Sequence, residues 1–258
     1  MEVIEIKETE STNSWLAARA GEMMADTLVY AIGQTAGRGQ RGNSWESEPG
    51  MNLTASALLH PEGIAPCRQF LISEGVALAV CDLLSDLGVE TMVKWPNDIY
   101  AGDRKICGIL IEHAIMPKRI MHTIAGAGIN INQTVFLSDA PNPVSVKQLT
   151  DREYDIPEVA AAFAAKLEAR MRQVMDEAAG GARTPESDGN VLPDSPIHKE
   201  FMNRLWRDDG RLYPFFDRKK GERIEAKIAD VAADGILSLE TSEGDLRRYA
   251  FKEVEFIL

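Results

Sequence analysis

The chain has 258 residues, 45% hydrophobic and 26% charged, an ordinary globular composition with length for one large domain or one large and one small. Its formal net charge of -12 argues against a general binder of nucleic acid or anionic membrane, whose affinity comes from a basic surface, so any anion site must be local. Cys67, Cys81 and Cys107 are odd in number and widely spaced, which supports neither a disulfide scaffold nor a structural zinc site.

The acidic start, MEVIEIKETESTNSW, alternates like a strand over Val3 to Ile6 and lacks the basic-then-apolar pattern of a secretory signal. No stretch approaches the roughly 20 apolar residues that span a bilayer, and a cytoplasmic location is expected. Ser11-Thr12-Asn13 leads into a predicted helix over SWLAARAGEMM. Leu28 to Ile32 is the next strand, running into Gln34 and the glycine loop GRGQRGNSW, Gly37 to Trp45. Asn52 to Leu59 reads as a strand, Leu71 to Leu87 as an amphipathic helix closed by Gly88, and Met92 to Trp95 as a short strand stopping at Pro96. Lys105 to Ala114 and Arg119 to Ile131 resemble a hairpin around Met116-Pro117-Lys118. Ile156 to Ala179 is an alanine-rich helix, Gly180 to Pro196 is the expected mobile segment, and His198 to Trp206 is a short helix. From Leu212, short alternating strands with regular turn signals mark a small all-β module.

Four clusters in the first 135 residues could carry chemistry. Ser11, Thr12 and Asn13 either hold a polar ligand head or cap the following helix. In the glycine loop, glycine permits close backbone approach while arginine offers a forked, permanent charge for phosphate or carboxylate; the plain alternative is a basic surface turn. KWPND, Lys94 to Asp98, makes a stiff corner that sets Asn97 and Asp98 past a strand end, suited to a ligand hydroxyl or a Mg2+-bound phosphate, or else to an ordinary turn. AGAGININ, Ala125 to Asn132, has Ile131 where a dinucleotide fingerprint needs glycine, and Gly37 to Gly42 is not a P-loop. Its small residues suit close approach of a flat ligand, with Asn130 available for a base or amide contact, or tight sheet packing. HExxH and GxSxG do not occur, and covalent catalysis through Ser or Cys is not expected.

Taken in order, STN, QTAGRGQRG, the tryptophan, KWPND, a lysine seven residues later, CGILIE and GAGININ resemble the biotin protein ligases over roughly residues 8 to 135. The C-terminal β module also resembles that family's small SH3-like domain. The resemblance implies an α+β fold: a mixed β-sheet with packed helices over residues 1–210, then an SH3-like β-barrel over 211–258. It further implies a two-step reaction in which biotin and ATP give biotinyl-5′-AMP and pyrophosphate, and the adenylate acylates a lysine of a biotin carboxyl carrier protein or a carboxylase carrier domain.

By the same resemblance, Ser11, Thr12, Asn13 and Gln34, with backbone from Arg38 through Gly39 to Gln40, would hold the biotin head. Gly108 and Gly126 would leave room for its rings and tail. Lys105 would sit between the biotin carboxylate and the α-phosphate, with Arg38 and Arg41 assisting with phosphate charge. Trp45 would stack on adenine, Asn130 would contact the base, and Asn97 with Asp98 would serve the nucleotide, Asp98 orienting the ribose-phosphate or a metal. Mg2+ is implied as a cofactor, its ligands unassigned. Neither DNA nor membrane is an expected partner, since nothing before Val3 could form a winged helix; a homodimer is compatible with the resemblance.

Gln40 departs from the pattern, giving GRGQRG where many members carry GRGRRG, which bears on how tightly the loop closes over its adenylate. The competing readings are a lipoate ligase of the same fold and a non-catalytic biotin-binding module. KWPND and the loop favour biotin, and Lys105 with the arginine loop favours catalysis.

Overall fold

The computed structural model describes residues 1–137, 142–180 and 195–257. The expected mobile segment, Gly180 to Pro196, lies mostly outside the described residues. Strand β1 (Glu2–Thr9) runs parallel to β2 (Thr27–Gln34), with the short helix α1 (Thr12–Ala17) between them. β2 pairs antiparallel with β3 (Leu53–Leu59), and α2 (Phe70–Asp86) then leads to β4 (Met92–Lys94), β5 (Asp98–Ala101), β6 (Arg104–Met116) and β7 (Arg119–Ile129). These strands form one mixed sheet in the order β1-β2-β3-β7-β6-β5-β4. The chain continues through α3 (Val146–Thr150), α4 (Ile156–Gly180) and α5 (Pro196–Asn203).

A second sheet follows, built from β8 (Tyr213–Asp217), β9 (Glu222–Val231), β10 (Leu237–Thr241), β11 (Leu246–Tyr249) and β12 (Val254–Phe256) in the order β11-β10-β9-β8-β12, antiparallel throughout. It is compatible with the expected SH3-like module, but among the described residues no pairing of β11 with β12 closes it into a barrel.

Side chains alternate across a strand, and that period decides which face carries the site. Leu53, Ala55, Ala57 and Leu59 of β3, with Ala125, Ala127 and Ile129 of β7, enter the main core beneath α2 and α4. α2 is buried almost all round, Glu74 included, and not on one face alone as its sequence suggests, because α4 and α5 pack on it as well as the sheet; Gly88 at φ +86 turns the chain out of it. The opposite face has only a small core, Leu16, Ala20, Val29, Leu58 and Ile124, under α1. That helix stops at Ala17, well short of the expected Met24; Leu16 and Ala20 are buried on the sheet, Trp15 and Met23 pack half-buried beside them, and Arg19 and Glu22 stay in water. β5, for which the sequence offered no strand reading, exists because Asp98 to Ala101 finds the start of β6 as a partner.

The KWPND corner joins the two sheets. Trp95 is buried, donates Nε1–H to the Gly235 carbonyl at 3.0 Å and meets Phe251 edge-on at 6.5 Å. A second tie runs through His198 of α5, which lies 2.7 Å from Glu74 of α2 and 3.7 Å from Asp230 of β9.

Candidate active site

A cavity of about 1370 Å³ opens on the thinly covered face of the seven-stranded sheet, its far wall made by Phe251, Lys252 and Phe256 of the second sheet region. Ser11, Thr12, Asn13, Gln34, Arg38, Gly39, Gln40, Trp45, Asn97, Asp98, Lys105, Gly108, Gly126 and Asn130 all line it. The side chain of Arg41 lies outside the described residues.

At the first end, the STN triplet is buried and Ser11 makes no side-chain cap bond, so the triplet does not serve α1 as a cap. Its polar atoms face the sheet instead. Gln34 Oε1 accepts from the Thr12 backbone N–H at 3.0 Å, and the Thr12 hydroxyl lies 2.7 Å from Ser56 Oγ. Ser56 donates to Asn13 Oδ1 at 2.5 Å, and Asn13 Nδ2 donates to Glu112 Oε2 at 2.8 Å. Glu112 also holds Arg38, Nη2 to Oε1 2.7 Å. A carboxylate only accepts, so Glu112 fixes which way the Asn13 amide faces, and donation converges on it from Thr12 through Ser56 and Asn13 on one side and from Arg38 on the other.

The glycine loop folds back on itself. Arg38 bridges to Ser44, the Gly39 N–H donates to the Asn43 carbonyl at 2.7 Å, and the Trp45 N–H donates to the Gly37 carbonyl at 2.9 Å. A β-carbon at Gly37 would collide with the Trp45 carbonyl, which is the physical reason for glycine there. The Trp45 indole then lies across Gly108 and Gly128, which are direct partners on β6 and β7. Its Nε1 is buried without a hydrogen-bond partner among the described residues. The space expected over Gly108 is therefore taken by Trp45, and the space over Gly126 by the Asn13 amide, so both glycines accommodate protein side chains in this state.

At the second end, Lys105 Nζ pairs with Asp98 Oδ1 at 2.7 Å and stands 5.8 Å from the Trp45 ring centroid. Asn97 Nδ2 donates to the Ile109 carbonyl at 2.5 Å, which ties the KWPND corner to β6. Asn130 Nδ2 donates to the Val144 carbonyl at 3.1 Å. Burial of Lys94 pushes its ammonium pKa down, Asp98 pulling it back up. Arg38, Lys94, Lys105, Arg218 and Lys252 line the cavity against Glu46, Asp98 and Glu255, so a chain of strongly negative net charge presents a locally cationic cleft.

Sequence reasoning missed Ser56, Glu112 and Gly128. Ser56 carries no local signal inside LTASALL, whereas Gly128 falls two residues after Gly126, on the same face by strand period, and could have been found. Among the described residues no group of three or more metal-ligating side chains forms, and Asp98 is already paired with Lys105.

Residues 3–130 match the model of the Biotin/lipoate A/B protein ligase family. A biotin--[acetyl-CoA-carboxylase] ligase from Paracoccus denitrificans is 32% identical over 167 residues, covering 60% of this chain and 69% of that protein. The bifunctional ligase/repressor BirA of Escherichia coli is 37% identical over 123 residues; the match spans 47% of this chain but 38% of that relative's length. In fold, a biotin protein ligase from Aquifex aeolicus solved in complex with biotin and ATP superposes with a TM-score of 0.73 at 22% identity, covering 98% of this chain and 97% of that one.

Proposed function

The chain belongs to the Biotin/lipoate A/B protein ligase family, and on that premise we propose that it is an ATP-dependent biotin protein ligase. The observation that carries this reading is one cavity lined by residues from five separate stretches, Ser11 to Asn13, Gln34 with Arg38 to Gln40 and Gly42 to Trp45, Asn97 with Asp98, Lys105 with Gly108, and Gly126 to Gly128 with Asn130. In the proposed first step a biotin carboxylate oxygen bonds to the α-phosphorus of ATP, the bond from that phosphorus to the bridging oxygen breaks, and pyrophosphate leaves. In the second, a carrier lysine amine bonds to the acyl carbon, AMP leaves, and the amine loses a proton to solvent. No protein nucleophile is needed, so the protein contributes position and charge.

Thr12, Asn13 and Gln34 would hold the polar head of biotin, in a wall whose donors and acceptors are already oriented by Ser56 and Glu112. Lys105 would leave Asp98 to meet the carboxylate and the α-phosphate, and Arg38 would leave Glu112 for phosphate oxygens. That exposed pair costs little to break, of order 0–1 kcal/mol. Trp45 would lift from its glycines and cover the adenylate, its orphan N–H offering a donor to ligand oxygen. Asn97 and Asn130 would border the nucleotide, and Arg41 would add charge from the loop. An ion accompanying ATP would be carried by the phosphates themselves, and no step is assigned to it.

The proposed acceptor is a biotin carboxyl carrier protein or carrier domain. The division into a ligase domain over 1–210 and a small β domain over 211–258 is part of the same reading. Among the described residues no helix is long and apolar enough to cross a membrane. Pyrophosphate release with ATP and biotin, set against ATP and lipoate, tests the assignment: release with biotin alone supports it, and release with lipoate alone would move the chain to the lipoate branch.

A further inference from the structure

We propose that Lys94 is a positioning residue that takes over the Asp98 carboxylate when Lys105 leaves it for the substrate. The inference rests on the adenylate-forming reading above. Asp98 stands in the middle of a short row: it is directly opposite Lys94 in the β4–β5 pair, opposite Gly108 in the β5–β6 pair, and ion-paired to Lys105 at 2.7 Å. Directly opposed residues of an antiparallel pair share a face with β-carbons about 5 Å apart, so Lys94 can reach Asp98 by a side-chain rotation alone.

In this structure it does not. Lys94 Nζ lies over the rings of Tyr100 and Phe256, 5.0 and 5.4 Å from their centroids, on the wall of the same cavity. Among the described residues no carboxylate stands within ion-pair distance of it. The charges that act on it are Asp98 and Glu255, which favour the ammonium, and Lys105 and Arg207, which oppose it. A partly desolvated ammonium held by ring faces alone is less well satisfied than one bonded to a carboxylate. It is a cation in reserve.

The proposed chemistry needs one. When Lys105 turns to the α-phosphate, Asp98 is left as a poorly solvated carboxylate beside a polyanion, a cost that would hold Lys105 back. Lys94, moving from the rings to Asp98, removes that cost and frees Lys105. A direct grip of Lys94 on the β- and γ-phosphates is the competing role, and kinetics separate the two.

Pyrophosphate release would be measured for the wild type, Lys94→Met, Lys94→Arg, Asp98→Asn and the Lys94→Met/Asp98→Asn double variant, with KM for biotin and ATP. Lys94→Met is expected to lower kcat about tenfold or more while each KM changes less than about threefold, and Lys94→Arg to restore most of the loss. In the Asp98→Asn background the same change should cost less than about threefold, because no carboxylate then needs a new partner. Equal losses in both backgrounds, or an effect confined to KM for ATP, would overturn the proposal. A crystal structure with biotin and a non-hydrolysable ATP analogue is the second readout: Lys94 on Asp98 with Lys105 withdrawn supports it, and Lys105 still on Asp98, or Lys94 on phosphate, overturns it. A wild type that releases no pyrophosphate with biotin would instead remove the adenylating reading, and the relay with it.

Discussion

The indole of Trp45 lies against Gly128, so close that a β-carbon on that glycine would overlap the ring, and its buried N–H has no acceptor among the described residues. An aromatic ring occupies the shelf on which a flat ligand is expected to rest, and ligand entry must move it. Adding biotin with a non-hydrolysable ATP analogue should change the intrinsic tryptophan emission, and the change should vanish in Trp45→Phe. An unchanged response in Trp45→Phe would assign the signal to Trp15, Trp95 or Trp206 and argue that Trp45 stays in place.

Gly126 makes room for the Asn13 amide, which Ser56 and Glu112 hold from both sides. Gly126→Ala forces that amide out of its bonds. We expect a loss of about 1–3 kcal/mol in urea denaturation, the usual range for overpacking, together with a raised KM for biotin and little change in KM for ATP. A variant whose biotin KM matches the wild type would show that Asn13 does not contact biotin.

The parts of this site that were legible in the sequence are those carried by an ordered pattern. Lys105, Asn130 and the glycine loop stand out only when read in order as a resemblance to the biotin protein ligases, since alone the loop also suits a basic surface turn and the Asn130 run tight sheet packing. Ser56 and Glu112 do not, since a serine inside an apolar strand and a glutamate late in another are unremarkable until α1 packs across the sheet and gives both the same partner, Asn13. The same limit explains the fold: the long helices α2 and α4 follow from their own periodicity, while β5 depends on a partner strand and the parallel β1–β2 pair on a crossing through α1. The second sheet was legible from its turns, but its closure was not, because closure depends on pairing between β11 and β12 that turn residues do not encode.

His198 gives the protein a pH dependence of stability. Its bonds to Asp230 and Glu74 raise its pKa from 6.5 to about 9, while burial opposes them. Glu74 is itself held above the usual carboxylate range, because complete burial outweighs the pull of His198. A histidine whose pKa is higher folded than unfolded stabilises fully below the unfolded value and loses that contribution as pH rises through the folded one. Urea midpoints should therefore fall between roughly pH 6.5 and 9, and His198→Gln should flatten that fall. Parallel pH profiles for the two proteins would mean that the tie between α5, α2 and β9 carries no net charge energy.

Gln40 sits half-buried in the turn of the glycine loop and lines the cavity. Gln40→Arg adds a cation over the phosphate of the adenylate, and we expect it to slow escape of the intermediate from the enzyme. Preformed adenylate chased with excess unlabelled biotin and ATP gives the rate directly. Equal release rates for the two proteins would show that this position does not set retention.

In the proposed reaction this cavity forms a biotinyl-adenylate and passes the biotin to a carrier lysine. Mass spectrometry of a biotin carboxyl carrier domain after incubation with the wild-type chain, biotin and ATP tests it most directly, with Lys105→Ala in parallel as a folded control checked by circular dichroism. The expected result is one amide-linked biotin on a single carrier lysine with the wild type, and a rate lower by about a hundredfold or more with Lys105→Ala. A carrier left unmodified by the wild type, or modified equally well by both proteins, would contradict it.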